Sequence, residues 1–230
     1  MTLMIKQEAS SNFEKPPVGM HVARCCMVCD LGIQTHEYNG EEKSLHKVRI
    51  AFELCTELQN EGEYKGLPFV VAQNYTASFH AKATLKKDLE SWRGRPFTDE
   101  ELQGFDLHSV VGAPCLINVV HNDSNGKVYA NIAAINPMMK GVDAPQLVTP
   151  VTKFSLAEYT NEEFEALPKW LQEKVNTEIP NYEALNKIQD ANKNEFIKAA
   201  AQGMQAPQDV QGIQGSAPPA GFDIGDDIPF

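Results

Sequence analysis

The last five residues, Asp226-Asp227-Ile228-Pro229-Phe230, carry the sharpest chemistry in the chain. A terminal Phe has two handles: a ring that fills an apolar pocket, and an α-carboxylate that an arginine grips in a fork. The acids before it favour a basic-rimmed pocket and steer the encounter. Pro229 stiffens the final step and lowers the ordering cost of binding. The plainer reading is a solvated acidic end that aids solubility. Two apolar residues among the acids, with the aromatic last, weigh against it. These residues point to recruitment of a partner protein.

A second set suits phosphates and bases. Holding a single strand without sequence preference takes a positive groove and rings on which bases stack. Arg24, Lys47, Arg49, Asn74, Thr76, His80, Asn118, Lys127, Tyr129 and Asn131 all fall at the outward parity of predicted strands. Lys127, Tyr129 and Asn131 put cation, ring and amide on one face. Tyr75 has the parity of the core, but a bulge would turn it outward. Lys82, Lys86, Arg93 and Arg95 flank a predicted helix and extend the cationic track. For each the competing reading is a solvated face or the core, and for Phe52, Phe69 and Phe79 the core is the better one.

Cys26 and Cys29 have metal-ligand spacing, but a structural zinc site needs four ligands and the sequence has no second pair. The five cysteines form no disulfide framework, and buried reduced thiols fit them better. His36-Glu37 lacks the following His of a zincin helix. There is no phosphate loop, dinucleotide glycine fingerprint or nucleophile elbow. No cofactor is implied, and nothing recommends an enzyme. A thiol- or metal-dependent enzyme built on Cys26 and Cys29 is the alternative from another class.

The elements that position these residues follow from periodicity. Gly19–Cys29 reads as a strand and Gln34–Ser44 as a polar loop around Asn39-Gly40. His46–Leu54 alternates cleanly, with Val48, Ile50, Phe52 and Leu54 inward and Lys47, Arg49 and Glu53 outward. After a loop at Glu57–Gly66, Leu67–His80 is a third strand. Ala81–Trp92 switches to helical spacing with Leu85, Leu89 and Trp92 on one side, and Gly94 and Pro96 stop it. Thr98–Glu101 is a capping box. Gly112–His121 and Lys127–Ile135 are the fourth and fifth strands, joined by a hairpin loop with Asn125-Gly126 as its turn signal. Three strands, a helix and two strands is the order of a five-stranded OB-fold barrel.

Beyond Pro150 the texture changes. Thr160–Glu163 is a capping box, Pro168 opens a helix over Lys169–Val175, and Asn181–Gln202 has helical periodicity. From Gln202 to Gly221 the chain has no aromatic and no Lys or Arg. Such a stretch buries too little apolar surface to offset its ordering entropy, so a disordered linker is expected. The expected organisation is an arm at 1–17, a barrel at 18–140, a helical extension at 141–201, a linker at 202–220 and the acidic tip at 221–230. The net charge of −11 at first argues against nucleic acid. Its distribution does not: residues 1–140 hold 14 Lys and Arg against 17 Asp and Glu, whereas residues 141–230 hold 6 against 14. No apolar run approaches the ~20 residues of a membrane span, and the N-terminus lacks a secretory apolar stretch. A cytoplasmic protein is expected.

Asp226–Phe230, with its Gln/Gly/Pro-rich linker, resembles the tip of bacterial single-stranded DNA-binding proteins. The body resembles phage-encoded single-stranded DNA-binding proteins of OB-fold type over Val48–Leu54, Tyr75–His80, Lys82–Phe97, Phe105-Asp106-Leu107, Gly126–Pro137 and Leu167–Pro180. The resemblance implies non-specific single-strand binding in replication, recombination and repair. It also implies a tip that docks a polymerase, helicase, primase or nuclease, and the cytoplasm of a bacterial host. The body departs from the bacterial pattern, so the bacterial tetramer does not carry over, although a homo-oligomer is compatible with the sequence. An OB-fold module for protein interaction or duplex DNA is the nearer alternative.

Overall fold

A computed structural model describes residues 14–38, 41–124 and 126–176. The chain is mainly β. Its strands are β1 (Gly19–Tyr38), β2 (Glu41–Leu58), β3 (Pro68–Thr76), β4 (Pro114–Ser124), β5 (Lys127–Asn136) and β6 (Thr152–Phe154). The helices are α1 (Thr84–Arg93), α2 (Asp99–Gln103), α3 (Asn161–Glu165) and α4 (Lys169–Asn176), with a 3-10 turn at Leu107–Val110. The strands form one sheet in the order β3-β2-β1-β4-β5, antiparallel throughout, and β6 adds to β1 in parallel.

No ladder joins β3 to β5 among the described residues, so the expected closed barrel is not formed by strand pairing. Instead α1 ties the two edges together. From this helix Asp88 accepts the Tyr75 hydroxyl of β3 at 2.8 Å, and the Ser91 hydroxyl donates to the Ile135 carbonyl of β5 at 2.7 Å. The helix forms because Leu85, Leu89 and Trp92 recur on one face, and all three are buried. It ends at Gly94, whose φ of 68° is a left-handed cap conformation that suits glycine. Trp92 meets Phe52 edge-on at 5.4 Å and donates its indole N–H to the Pro114 carbonyl at 2.8 Å.

The principal core holds the inward residues of the β2 alternation, Val48, Ile50, Phe52 and Leu54, together with Cys25, Cys115, Ile117 and Ile135. Phe69 is buried among them and Phe79 packs on their margin, as the sequence suggested. The two capping boxes expected at Thr98 and Thr160 both form and start α2 and α3. Two expectations need correction. The polar segment Gln34–Ser44, expected as a loop, is strand at 34–38 and 41–44: there β1 and β2 run on as a two-stranded ribbon in register from Gln34↔Leu45 to Tyr38↔Glu41, and residues 39–40 lie outside the described residues. Among its described side chains, Gln34, Thr35 and Glu41–Ser44, none is buried, so no core face demands an apolar alternation there.

The second correction concerns Glu53. Its outward parity predicted a solvated side chain, yet it is fully buried. Its carboxylate accepts the Val148 N–H at 3.0 and 3.2 Å and the Thr149 N–H at 2.5 Å. The chain after β5 lies over the outer face of β1 and β2 here. A second apolar cluster then forms on that face from Cys29, Leu31, Phe154, Leu156, Leu167, Leu171 and Val175. The extension is therefore packed on the sheet as far as residue 176. The expected helix at Asn181–Gln202, the linker and the tip lie outside the described residues. No helix among the described residues is long and apolar enough to cross a membrane.

Glu53→Ala would take the shared carboxylate acceptor from the part-buried N–H groups of Val148 and Thr149. A hydrogen bond to a charged group contributes about 1.5–3 kcal/mol, so the variant is expected to lose about 2 kcal/mol in urea unfolding. An unchanged midpoint would show that the 144–149 segment does not depend on this carboxylate.

Candidate nucleic-acid interface

The outward residues of β2 and β3 assemble first. The ladder sets Lys47 opposite Thr76 and Arg49 opposite Asn74. Side chains directly across an antiparallel pair lie within reach of one another, and both pairs bond. The Lys47 ammonium donates to the Thr76 hydroxyl at 2.9 Å, and the Arg49 guanidinium donates to the Asn74 amide oxygen at 2.9 Å. The result is a short row of two cations, an amide and a hydroxyl on one face of the sheet.

Arg49 has a further neighbour. Its guanidinium carbon lies 5.0 Å from the centroid of the Trp170 ring on α4, in cation–π range. Burial lowers the guanidinium from its ordinary value, but an arginine stays charged in proteins. Arg49 bonds an amide oxygen and faces a ring, and neither cancels the charge. Trp170 was not among the sequence-derived candidates. The available signal was its phase: Leu171 and Val175 form the buried stripe of α4, and a large indole beside them falls outside it.

Beside this row, β1 contributes Asp30 and β2 contributes His46, 2.6 Å apart. Asp30 also accepts from the N–H groups of Gly32 and Leu156. Burial pushes its carboxyl up, but His46 and the two N–H donors outweigh this and hold it below its ordinary value. The hydrogen bond to Asp30 raises the His46 imidazole. Past Thr76 the chain enters a half-open apolar cleft of about 240 Å³, lined by Val48, Ala77, Ser78, Phe79, Leu85, Phe105 and Leu107.

Lys127, Tyr129 and Asn131 lie exposed on the edge strand β5, at the outward parity expected. Asn118 is partly covered on β4, opposite Ala134. In the sheet order β1 and β4 stand between this group and the β2–β3 row, so the ladder does not make them one continuous surface. His80 and Lys82 are exposed in the segment leading to α1.

Five other candidates are engaged within the fold. The Arg24 guanidinium donates to the carbonyls of Gly112 and Pro145 at 2.7 Å each and of Ala144 at 3.0 Å. Arg95 holds Glu101 in a two-pronged bond at 2.8 and 2.9 Å, and Arg93 binds the same carboxylate. These arginines, Arg95 foremost, keep the Glu101 carboxyl well below the usual range. Lys86 lies 3.9 Å from Glu90, one helical turn on. Tyr75 departs from the outward placement: no bulge turns it out, and it is buried with its hydroxyl on Asp88. Its core parity prevailed because α1 offers a carboxylate inside.

Four of the five cysteines are buried, and Cys55 is half-buried. Burial pushes the Cys25, Cys26 and Cys29 thiols up to about 12 and raises Cys55 and Cys115 as well. Such thiols are poor nucleophiles, since the thiolate is the reactive form. Cys25 belongs to the principal core and Cys29 to the second cluster, and no group of three metal-ligating side chains occurs among the described residues. No family model matches the chain, and no curated protein matches it.

The Asp30–His46 pair makes stability depend on pH. The raised histidine contributes fully below its ordinary value of 6.5 and loses that contribution as pH rises through its folded value. The lowered aspartate contributes above its ordinary 3.8 and loses this as pH falls through its folded value. His46→Gln is therefore expected to destabilise the protein most near pH ~5.5 and progressively less toward pH ~8.5. Urea unfolding at both values checks this, and an equal loss at the two would contradict it.

Proposed function

We propose that this chain binds single-stranded DNA without sequence preference and recruits partner enzymes through its C-terminal tip. The observation that carries the reading is the β2–β3 row of Lys47, Thr76, Arg49 and Asn74. A single strand calls for cations along its phosphates and rings on which its bases stack, and this row supplies the cations. Two long strands hold such groups at neighbouring register positions, with Arg49 bonded to a neutral amide. Phosphates then meet a pre-oriented charge, which reduces the ordering cost of binding.

We also propose that the sheet is an OB-fold barrel opened between its third and fifth strands. The order β3-β2-β1-β4-β5 is the one such a barrel has when that seam is unpaired. The helix that follows the third strand lies at the seam, where OB-folds carry theirs. The β2–β3 face is the one OB-folds use for oligonucleotides, and Lys47 and Arg49 stand on it. The exposed group on β5, Lys127, Tyr129 and Asn131, extends the track around the opening. Coating of exposed strands in replication, recombination and repair follows from such binding, with Asp226–Phe230 presented to a polymerase, helicase, primase or nuclease.

Titration of labelled oligo-dT against a matched duplex at two salt concentrations tests the reading. The single strand is expected to bind tighter, with a steep salt slope. Each lost phosphate contact lowers that slope by about 0.7 on a single strand. Lys47→Ala with Arg49→Ala should therefore flatten it by roughly 1.4. Arg95→Ala, whose guanidinium is held by Glu101, should bind as the parent does. Equal affinity for duplex would favour an architectural role instead.

Deleting 221–230 is expected to leave oligo-dT affinity equal or higher, because an acidic segment competing for the cations is gone. The same deletion should abolish co-purification with a replication enzyme of the host. A truncated protein that stopped binding DNA and kept its partner would refute this division of labour.

A further inference from the structure

We infer that Trp170 is a stacking platform for one unpaired base, so that the C-terminal extension supplies part of the strand-binding surface. This rests on the single-strand reading above and adds to it a residue and the moiety that the residue holds.

The placement of the indole is unusual for its helix. On α4, Leu171 and Val175 are fully buried in the second cluster, whereas Trp170 keeps 51% of its surface exposed. A large ring on a surface is commonly explained by packing, and here packing accounts for only part of it. Arg49 lies over the ring at 5.0 Å, and Asn74 holds Arg49 from the other strand at 2.9 Å. The ring is thereby fixed in place beside the row of phosphate-binding groups, with much of its surface open. A cation flanked by an oriented aromatic surface is the pairing that single-strand sites use: the cation takes the phosphate and the ring takes the base. The site would accept any base, since each has a π-face.

The other tryptophan supplies a contrast. Trp92 is 7% exposed, packed edge-on against Phe52, with its N–H on the Pro114 carbonyl. A base cannot reach it. The chain has two tryptophans, so a change in indole emission on adding a nucleic acid reports mainly on Trp170.

The test uses the full chain with two readouts, anisotropy of labelled oligo-dT for affinity and intrinsic tryptophan emission with unlabelled oligo-dT. The parent emission is expected to be quenched on binding. Trp170→Leu keeps an apolar cover over Arg49 but removes the π-face. It should abolish the quenching and weaken affinity by roughly 5- to 160-fold, the range found when stacked rings are removed. Trp170→Tyr should restore affinity to within about threefold, since tyrosine also stacks. If oligo-dT binds the parent without quenching and binds Trp170→Leu equally well, the inference is overturned while the single-strand reading stands. If Tyr weakens binding as much as Leu, the ring is only a cover for Arg49 and the inference is again overturned. If the parent binds no oligo-dT by anisotropy, the single-strand reading fails and takes the inference with it.

Discussion

A carboxylate without solvent is tolerable only when its hydrogen-bond capacity is met, and Glu53 meets that requirement with the backbone of residues 148 and 149. Much of the architecture follows from this one constraint. The bond draws the chain after β5 across the outer face of β1 and β2. Arg24 reinforces it from the neighbouring position, paired with Glu53 across the ladder and bonded to the carbonyls of Ala144 and Pro145. Thus an acid takes the N–H groups and a base takes the C=O groups of one strap, in the two places where that strap crosses the sheet. From there the chain reaches β6, pairs with β1 at Met27–Cys29 and delivers α3 and α4 to the second cluster.

The same strap shapes the candidate surface. Without the second cluster, Cys29 and Leu31 would stand on a solvent-facing sheet, and α4 would have no seat beside Arg49. Covering the middle of the outer face confines the basic row to the end where Lys47, Arg49, Asn74 and Thr76 pair across strands. The extension thus covers one part of the sheet and frames the other. Several other cations of the body are engaged within the fold: Arg24 on backbone carbonyls, Arg93 and Arg95 on Glu101, and Lys86 near Glu90. The net charge of −11 is a sum over the whole chain, and local fields rather than that total decide where an anion settles.

The sheet has a comparable division of labour at its open seam. Strands β3 and β5 are not laddered, and α1 binds each by a side-chain hydrogen bond while its apolar face fills the space between them. Tyr75 is central here. A tyrosine with an acid partner inside is more useful to the core than to the surface, because its hydroxyl then meets its bonding needs while the ring adds apolar area. This is why a residue whose type suits base stacking is absent from the outer row, while an indole from another element stands there.

The sequence by itself determined what local periodicity and local chemistry govern: five of the six strands, the amphipathic α1 with its glycine stop, the capping boxes at Thr98 and Thr160, and the inward face of β2. These rest on interactions within a few residues or on a two-residue alternation, both visible along a single chain. Tertiary structure alone decided which outward residues remain outward. Glu53, Arg24 and Arg95 share the parity or exposure expected of surface groups, yet their partners lie far along the chain or in a neighbouring turn, and no spacing rule reveals them. It also decided that β6 pairs in parallel with β1 and that Trp170 stands over Arg49. Each depends on two segments distant in sequence meeting in space, and the free energy of such a meeting is a property of the packed chain and not of either segment alone.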